Sequence, residues 1–189
     1  MSEKLNRDNQ DQSEPQPAPQ IQPEQEPQPE IRTYSDEYKE GVVKLINDVY
    51  ENEMGQRSKS GRPDLDIISD MYQKTGGNFW VALDEGKVVG TVALINDGEQ
   101  RGSMHRFCVD KKFRGKGVSD KLFSVLLEFA GDKGYKKLFL STWQGASAAN
   151  KFYIKNGFKK IESLPKDMSG RSYFVHDKVF YELDLKEEK

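Results

Sequence analysis

Sulfur chemistry has almost no place in this chain. Cys108 is the only cysteine among 189 residues, which excludes an intrachain disulfide and a cysteine-cluster metal site. Histidine is nearly as scarce, with His105 and His176 alone. No apolar run approaches the roughly 18 residues a membrane helix needs, and the N-terminus lacks the apolar core of a signal peptide. The expectation is a soluble, cytoplasmic protein with no membrane association. Net charge is also small, −2 at pH 7, but unevenly spread. Residues 1–31 hold two basic and seven acidic side chains, a net of −5, while the rest holds 27 and 24, a net of +3. A surplus that small lacks the basic footprint of a nucleic-acid binder.

Six of the eight prolines, at 15, 17, 19, 23, 27 and 29, fall in the first 31 residues, among Gln, Glu and Asp. Proline removes backbone donors and favours extended conformations, and almost nothing apolar is available there to bury. Residues 1–31 are therefore expected to be a disordered tail, a solubilising leader or tether rather than a docking motif for a proline-recognising partner. The remainder, 35% hydrophobic and 11% aromatic over the whole chain, suffices for one core. It divides into a folded domain at 32–185 and a charged C-terminal tail at 186–189. No internal repeat is present.

Within the domain, a short strand at 31–34 precedes a helix capped by Ser35 or Asp36, with Tyr38, Val42, Leu45, Ile46 and Val49 at helical spacing. Residues 51–61 are polar and irregular. Pro63 with Asp64 and Asp66 fits the first turn of a second helix, where carboxylates suit the dipole, with Leu65, Ile68 and Tyr72 facing inward; Gly76-Gly77 ends it. Strands at 79–83 and 87–95 join through Asp84-Glu85-Gly86, and Asp97-Gly98 turns the chain into a third at 103–109. A helix from Val118 to Gly134, a strand at 137–141 and a helix at 146–156 closed by Gly157 follow. Strands at 158–164 and 173–185 end the domain, the polar loop 165–171 between them reading as mobile. The order predicts a mixed α/β sheet: an antiparallel meander, one parallel crossover and helices on both faces, not a doubly wound nucleotide fold.

Between the third strand and the long helix lies Arg114-Gly115-Lys116-Gly117-Val118-Ser119. Glycines let the backbone approach a ligand, and the helix start behind them offers unpaired N–H groups at a positive dipole end, so the loop suits an anion. Other glycine loops fail on spacing. A dinucleotide fingerprint would need glycine where Asp120 stands, and a Walker loop would need Ser or Thr where Gly117 stands.

The segment resembles the acyl-CoA signature R/Q-x-x-G-x-G/A of the Gcn5-related N-acetyltransferases, with Ser119 in place of the final small residue. About 30 residues later, Ala149-Asn150-Lys151-Phe152-Tyr153-Ile154-Lys155-Asn156-Gly157-Phe158 is similar to that family's A-x-x-x-Y-x-x-x-G-F motif. The asparagine often found three residues before its alanine is replaced by Ala146. The resemblance spans about 32–185. It implies acetyl-CoA as cosubstrate without a metal, and an amine acceptor, small molecule or peptide, for a monomer or homodimer. Arg114, Gly115, Lys116, Gly117, Val118 and Ser119 would hold the pyrophosphate, with Asn150 and Tyr153 also at the cofactor. Backbone N–H groups of Phe107 and Val109 would stabilise the oxyanion, provided the strand carrying them splays from its parallel neighbour. Tyr153 is the implied general acid toward the departing thiolate. An alkylamine of pKa about 10.4 must lose a proton at pH 7, costing on the order of 5 kcal/mol unassisted. His105, sharing strand parity with Ser103, Phe107 and Val109, is the candidate base, with an ordered water chain as the alternative. Cys108, on the opposite parity, reads as core, and His176 as a surface or structural residue. Glu51, Glu53, Asp64 and Asp66 flank the segment that covers the amine pocket in that family, though a solvated helix end is the commoner role for such carboxylates. The competing expectation is a non-catalytic acyl-CoA-binding or interaction module of the same fold.

Overall fold

Largely apolar runs between residues 78 and 109, separated by turn residues, produce three consecutive antiparallel strands, β2 (Asn78–Asp84), β3 (Lys87–Gly98) and β4 (Arg101–Val109). The structure, a computed structural model, describes residues 28–53, 55, 61–171 and 178–185. The first hairpin reverses at Glu85-Gly86, both at positive φ (47° and 78°), the turn geometry that matches strand twist. The second reverses two residues later than Asp97-Gly98 suggests. Gly98 still pairs with Arg101, so Glu99 and Gln100 make the turn at φ 51° and 58°. β1 (Glu30–Thr33) pairs antiparallel with β2, which puts residues 30 and 31 in the sheet rather than in the tail.

α1 (Lys39–Asn47) follows a 3-10 turn at Asp36–Tyr38 and turns Val42, Leu45 and Ile46 inward as their spacing predicts. The chain then loosens into a π-helical turn, Asp48–Glu53. In place of the second predicted helix stand a 3-10 turn, Pro63–Leu65, and another π-helical turn, Ser69–Gln73, yet Leu65, Ile68 and Tyr72 are buried all the same. α2 (Val118–Asp132) crosses over to β5 (Lys137–Trp143), which lies parallel to β4. α3 (Ser147–Lys155) is followed by β6 (Lys159–Ile161), shorter than predicted, and β7 (Lys178–Asp184); residues 172–177, with His176 and the start of the strand predicted at 173–185, lie outside the described residues, as do 1–27 and 186–189. The loop expected to be mobile contains a 3-10 turn, Lys166–Arg171, with Met168 buried and Asp167 bound to Arg101 at 2.6 Å.

The sheet order is β1-β2-β3-β4-β5-β7-β6, mixed, with helices on both faces. On one face Val118, Leu122, Phe123, Leu126 and Ala130 of α2 pack on Trp80, Val92, Leu94, Leu138 and Leu140. On the other, Val42, Leu45, Ile46 and Tyr72 pack on Phe79, Val81, Ala93, Ile95 and Cys108. Each large apolar side chain so buried contributes up to about 1.5–3 kcal/mol. No helix among the described residues is long and apolar enough to cross a membrane.

Candidate active site

β4 and β5 pair through only three positions, Arg101 with Lys137, Gly102 with Leu138 and Ser103 with Phe139. Beyond them the strands part, and a cavity of about 380 Å³ opens between them. Phe107, Cys108 and Val109 line it from β4, Arg114, Gly115 and Ser119 from the glycine loop, and Trp143, Ala149 and Phe152 from β5 and α3. The splay that an oxyanion site on this strand requires is present.

A β-bulge sets the direction of the β4 backbone. Thr91 pairs with Cys108 and Ala93 with His105, so Arg106 and Phe107 together oppose Val92. Arg106 adopts φ 49°. The N–H of Asp110 donates to the Val89 carbonyl at 2.9 Å. Alternation from there turns the N–H groups of Val109 and Phe107 away from β3, toward the side β5 has left. The expected common face of Ser103, His105, Phe107 and Val109 is thereby corrected, because one extra residue reverses the alternation. The Phe107 ring packs against Phe152 and Tyr153 (5.1 and 6.2 Å between centroids). His105 instead lies by Tyr72 (6.4 Å), its Nε2 3.0 Å from Ser103 Oγ, and it does not line the cavity.

The glycine loop is tied to the end of that strand. The Asp110 carboxylate accepts from the Lys112 N–H at 2.9 Å, and Arg114 Nε donates back to the Val109 carbonyl at 2.9 Å. Gly115 and Gly117 stand at φ 74° and 80°, which a β-carbon disfavours. The first intrahelical bond of α2 runs from the Lys121 N–H to the Gly117 carbonyl at 3.0 Å. The N–H groups of Val118, Ser119 and Asp120 precede it and emerge at the positive end of the helix. The Val118 side chain is itself in the core, so only its backbone serves the loop, and Lys116 lies exposed over the Phe113 ring.

On α3, Tyr153 is 5% exposed, packed among Phe107, Phe158 and Tyr181. Burial pushes its phenol far above the ordinary value, and Tyr50, Cys108 and Tyr181 push the same way. Cys108 is buried as expected and also lines the cavity, whereas Tyr153 is not among the residues lining it. The Asn150 amide donates to the carbonyls of Trp143 (3.2 Å) and Gln144 (3.1 Å), and its Oδ1 accepts from the Tyr181 hydroxyl (3.0 Å). That side chain fastens the β5–α3 connection.

Asp64 is not on a solvated helix end. It is 3% exposed, receives Arg106 Nε and Nη2 at 2.8 and 2.5 Å, and accepts from the Tyr72 hydroxyl at 2.8 Å. Tyr50 lies between two guanidinium groups, 5.0 Å from that of Arg62 and 5.3 Å from that of Arg106. Burial alone would lower the Arg106 pKa, but Tyr50 and Asp64 outweigh it and hold it above the ordinary value. Burial chiefly pushes Tyr50 up to about 12. Removing either member of the buried Asp64–Arg106 pair would strand a charge, at a cost of about 3–5 kcal/mol. Sequence reasoning passed over this network and the cavity-lining residues Trp143, Gly145, Ser147 and Ala148, which precede the Ala149–Phe158 motif. The trace of the bulge is the broken alternation of His105-Arg106-Phe107-Cys108-Val109, two polar residues followed by three apolar ones.

A mixed sheet that parts between neighbouring parallel strands, with a glycine loop and a helix start at the opening, is the acyl-CoA N-acyltransferase fold. A family profile described as the acetyltransferase (GNAT) domain matches residues 75–160. A GNAT-family acetyltransferase from Staphylococcus aureus Mu50 superposes with a TM-score of 0.76 at 28% identity, covering 84% of this chain and 99% of that one. The PaiA N-acetyltransferase of Thermoplasma acidophilum, solved in complex with coenzyme A, shares the fold with a TM-score of 0.67 at 17% identity, over 83% and 99% of the two chains. Among curated proteins, N-acetylaspartate synthetase of Xenopus tropicalis is 35% identical over 125 residues, 65% of this chain and 46% of its own length. Human N-acetyltransferase 8B is 35% identical over 119 residues, 60% and 49% of the two lengths. The chain thus spans about half the length of the curated relatives it matches. It shares the fold of the Gcn5-related N-acetyltransferases, and the segment 75–160 matches their domain profile.

Proposed function

We propose that this chain is an acetyl-CoA-dependent N-acetyltransferase that transfers the acetyl group to a primary amine by direct attack. The observation that carries this reading is the cavity between β4 and β5, where outward-turned strand donors, the glycine loop and α3 meet. The pyrophosphate would sit on the N–H groups from Gly115 to Ser119, with Arg114 and Lys116 as nearby positive charge. The thioester carbonyl would lie along β4, its developing oxyanion facing the N–H groups of Phe107 and Val109. Tyr153, protonated at neutral pH, donates to the leaving thiolate. His105 or an ordered water chain takes the amine proton from the opposite side of β4.

The test is a panel of amines with acetyl-CoA, read as free thiol. Free amino acids, aspartate first, head the panel because the relatives include N-acetylaspartate synthetases. Polyamines, lysine peptides and peptide N-termini complete it. The burial of Tyr153 favours a second reading, a coenzyme A-binding module without turnover. Coenzyme A binding without thiol release for any amine would select that reading, and absence of binding would remove both.

A further inference from the structure

The β4 bulge is gripped from two directions. Arg106 occupies the left-handed region at φ 49°, which a residue with a β-carbon does not prefer, so its surroundings must hold it there. The Thr91 hydroxyl donates to the Arg106 carbonyl at 2.7 Å. The Arg106 guanidinium is bound by Asp64, 42 residues earlier, and Asp64 is in turn fixed by the Tyr72 hydroxyl. Thr91, Asp64 and Arg106 are all buried, at 0%, 3% and 3% exposure, and none lines the cavity. We infer that Thr91, Arg106 and Asp64 form a clamp that keeps the extra residue in β4 and so aims the Phe107 and Val109 N–H groups into the cleft.

The pairing makes the consequence specific. Ser103 and His105 pair with Ile95 and Ala93, in the same phase on β3 as Val89, whose carbonyl accepts from Asp110. Alternation continued from His105 without a bulge would turn residues 107 and 109 into β3 as well, leaving the cleft without those donors. With the bulge, Cys108 and Asp110 occupy the β3-facing places. Thr91, Arg106 and Asp64 act through the backbone and are positioning residues. The kinetic part of this inference rests on the proposed acetyl transfer; the structural part does not.

The experiment uses the full chain with Thr91→Val, which keeps the side-chain shape, Thr91→Ser, which restores the hydroxyl, and Asp64→Asn. Amide hydrogen exchange is compared along β4. In Thr91→Val and Asp64→Asn, protection of the Cys108 amide is expected to fall selectively, on the order of tenfold or more beyond any change at His105, and Thr91→Ser is expected to return it toward the parent. With an acceptor from the amine panel, kcat should fall on the order of 10–100-fold while KM for acetyl-CoA stays within about threefold. Equal loss of protection at His105 and Cys108, or an unaltered kcat in both variants, would make the clamp a stability element only and overturn the inference. A parent that acetylates no amine would sink the proposed function, while the exchange comparison would still decide the clamp. If Asp64→Asn does not fold, the Thr91 pair carries the same comparison.

Discussion

Tyr153 has a property that its motif alone does not disclose, near-complete burial among the rings of Phe107, Phe158 and Tyr181. With its ionisation driven upward, it remains a proton donor through the alkaline range. Tyr153→Phe is expected to lower kcat on the order of 100-fold or more while leaving acetyl-CoA affinity within about threefold. Stopped-flow turnover and direct binding separate the two, and an unchanged kcat would end the acid assignment. For His105→Ala, the rate at neutral pH should fall relative to the rate at high pH, where the amine is already deprotonated. A parent-like ratio would hand the proton to water. The place of Tyr153 on α3 was legible because a motif fixes its position. Asp64 was misread because the rule placing carboxylates at helix starts is local, whereas its partner Arg106 arrives from a strand 42 residues away.

Elements were easier to read than the joints between them. The meander, α2 and α3 were legible, since apolar runs bounded by turn residues and amphipathic helices write their burial into the sequence. The bulge was not, because one extra residue barely changes a strand's composition or length and shows only as a break in phase. The second hairpin turn was also missed: the glycine at 98 drew attention, but ladder pairing placed Glu99 and Gln100 in the turn. The glycine loop stands between β4 and α2, where the spacing placed it, and its geometry sets a sharp expectation. Gly117→Ala, at φ 80°, should cost about 1–2 kcal/mol of stability. It should also raise the acetyl-CoA KM on the order of 5–30-fold by disturbing the helix start. Thermal melting together with a cosubstrate titration checks both, and an unaltered KM would separate the loop from cosubstrate binding.

Across the whole molecule, the buried phenols give stability a directional response to pH. Tyr50 is raised to about 12 and Tyr153 is raised further, both chiefly by burial, from an unfolded value of 10.0. Groups raised in the folded state contribute fully below the unfolded value and progressively lose that contribution as pH climbs toward the folded one. Melting temperature should therefore hold on the alkaline side of neutrality and decline above about pH 10. Tyr153→Phe should flatten that decline in a series of melts, and an equally steep decline would point to other groups.

The sheet order also bears on how the chain acquires its shape during synthesis. β7 is the last strand in sequence but lies between β5 and β6, pairing with both. Until residues 178–184 emerge, β5 presents an unpaired edge, with Leu138 and Leu140 not yet sealed, and β6 has no partner. A nascent chain can assemble the β1–β4 meander early through near neighbours, but the half that closes the cleft must wait for its final strand. The exposed edge of β5 is then where an incomplete chain is most open to pairing with another copy.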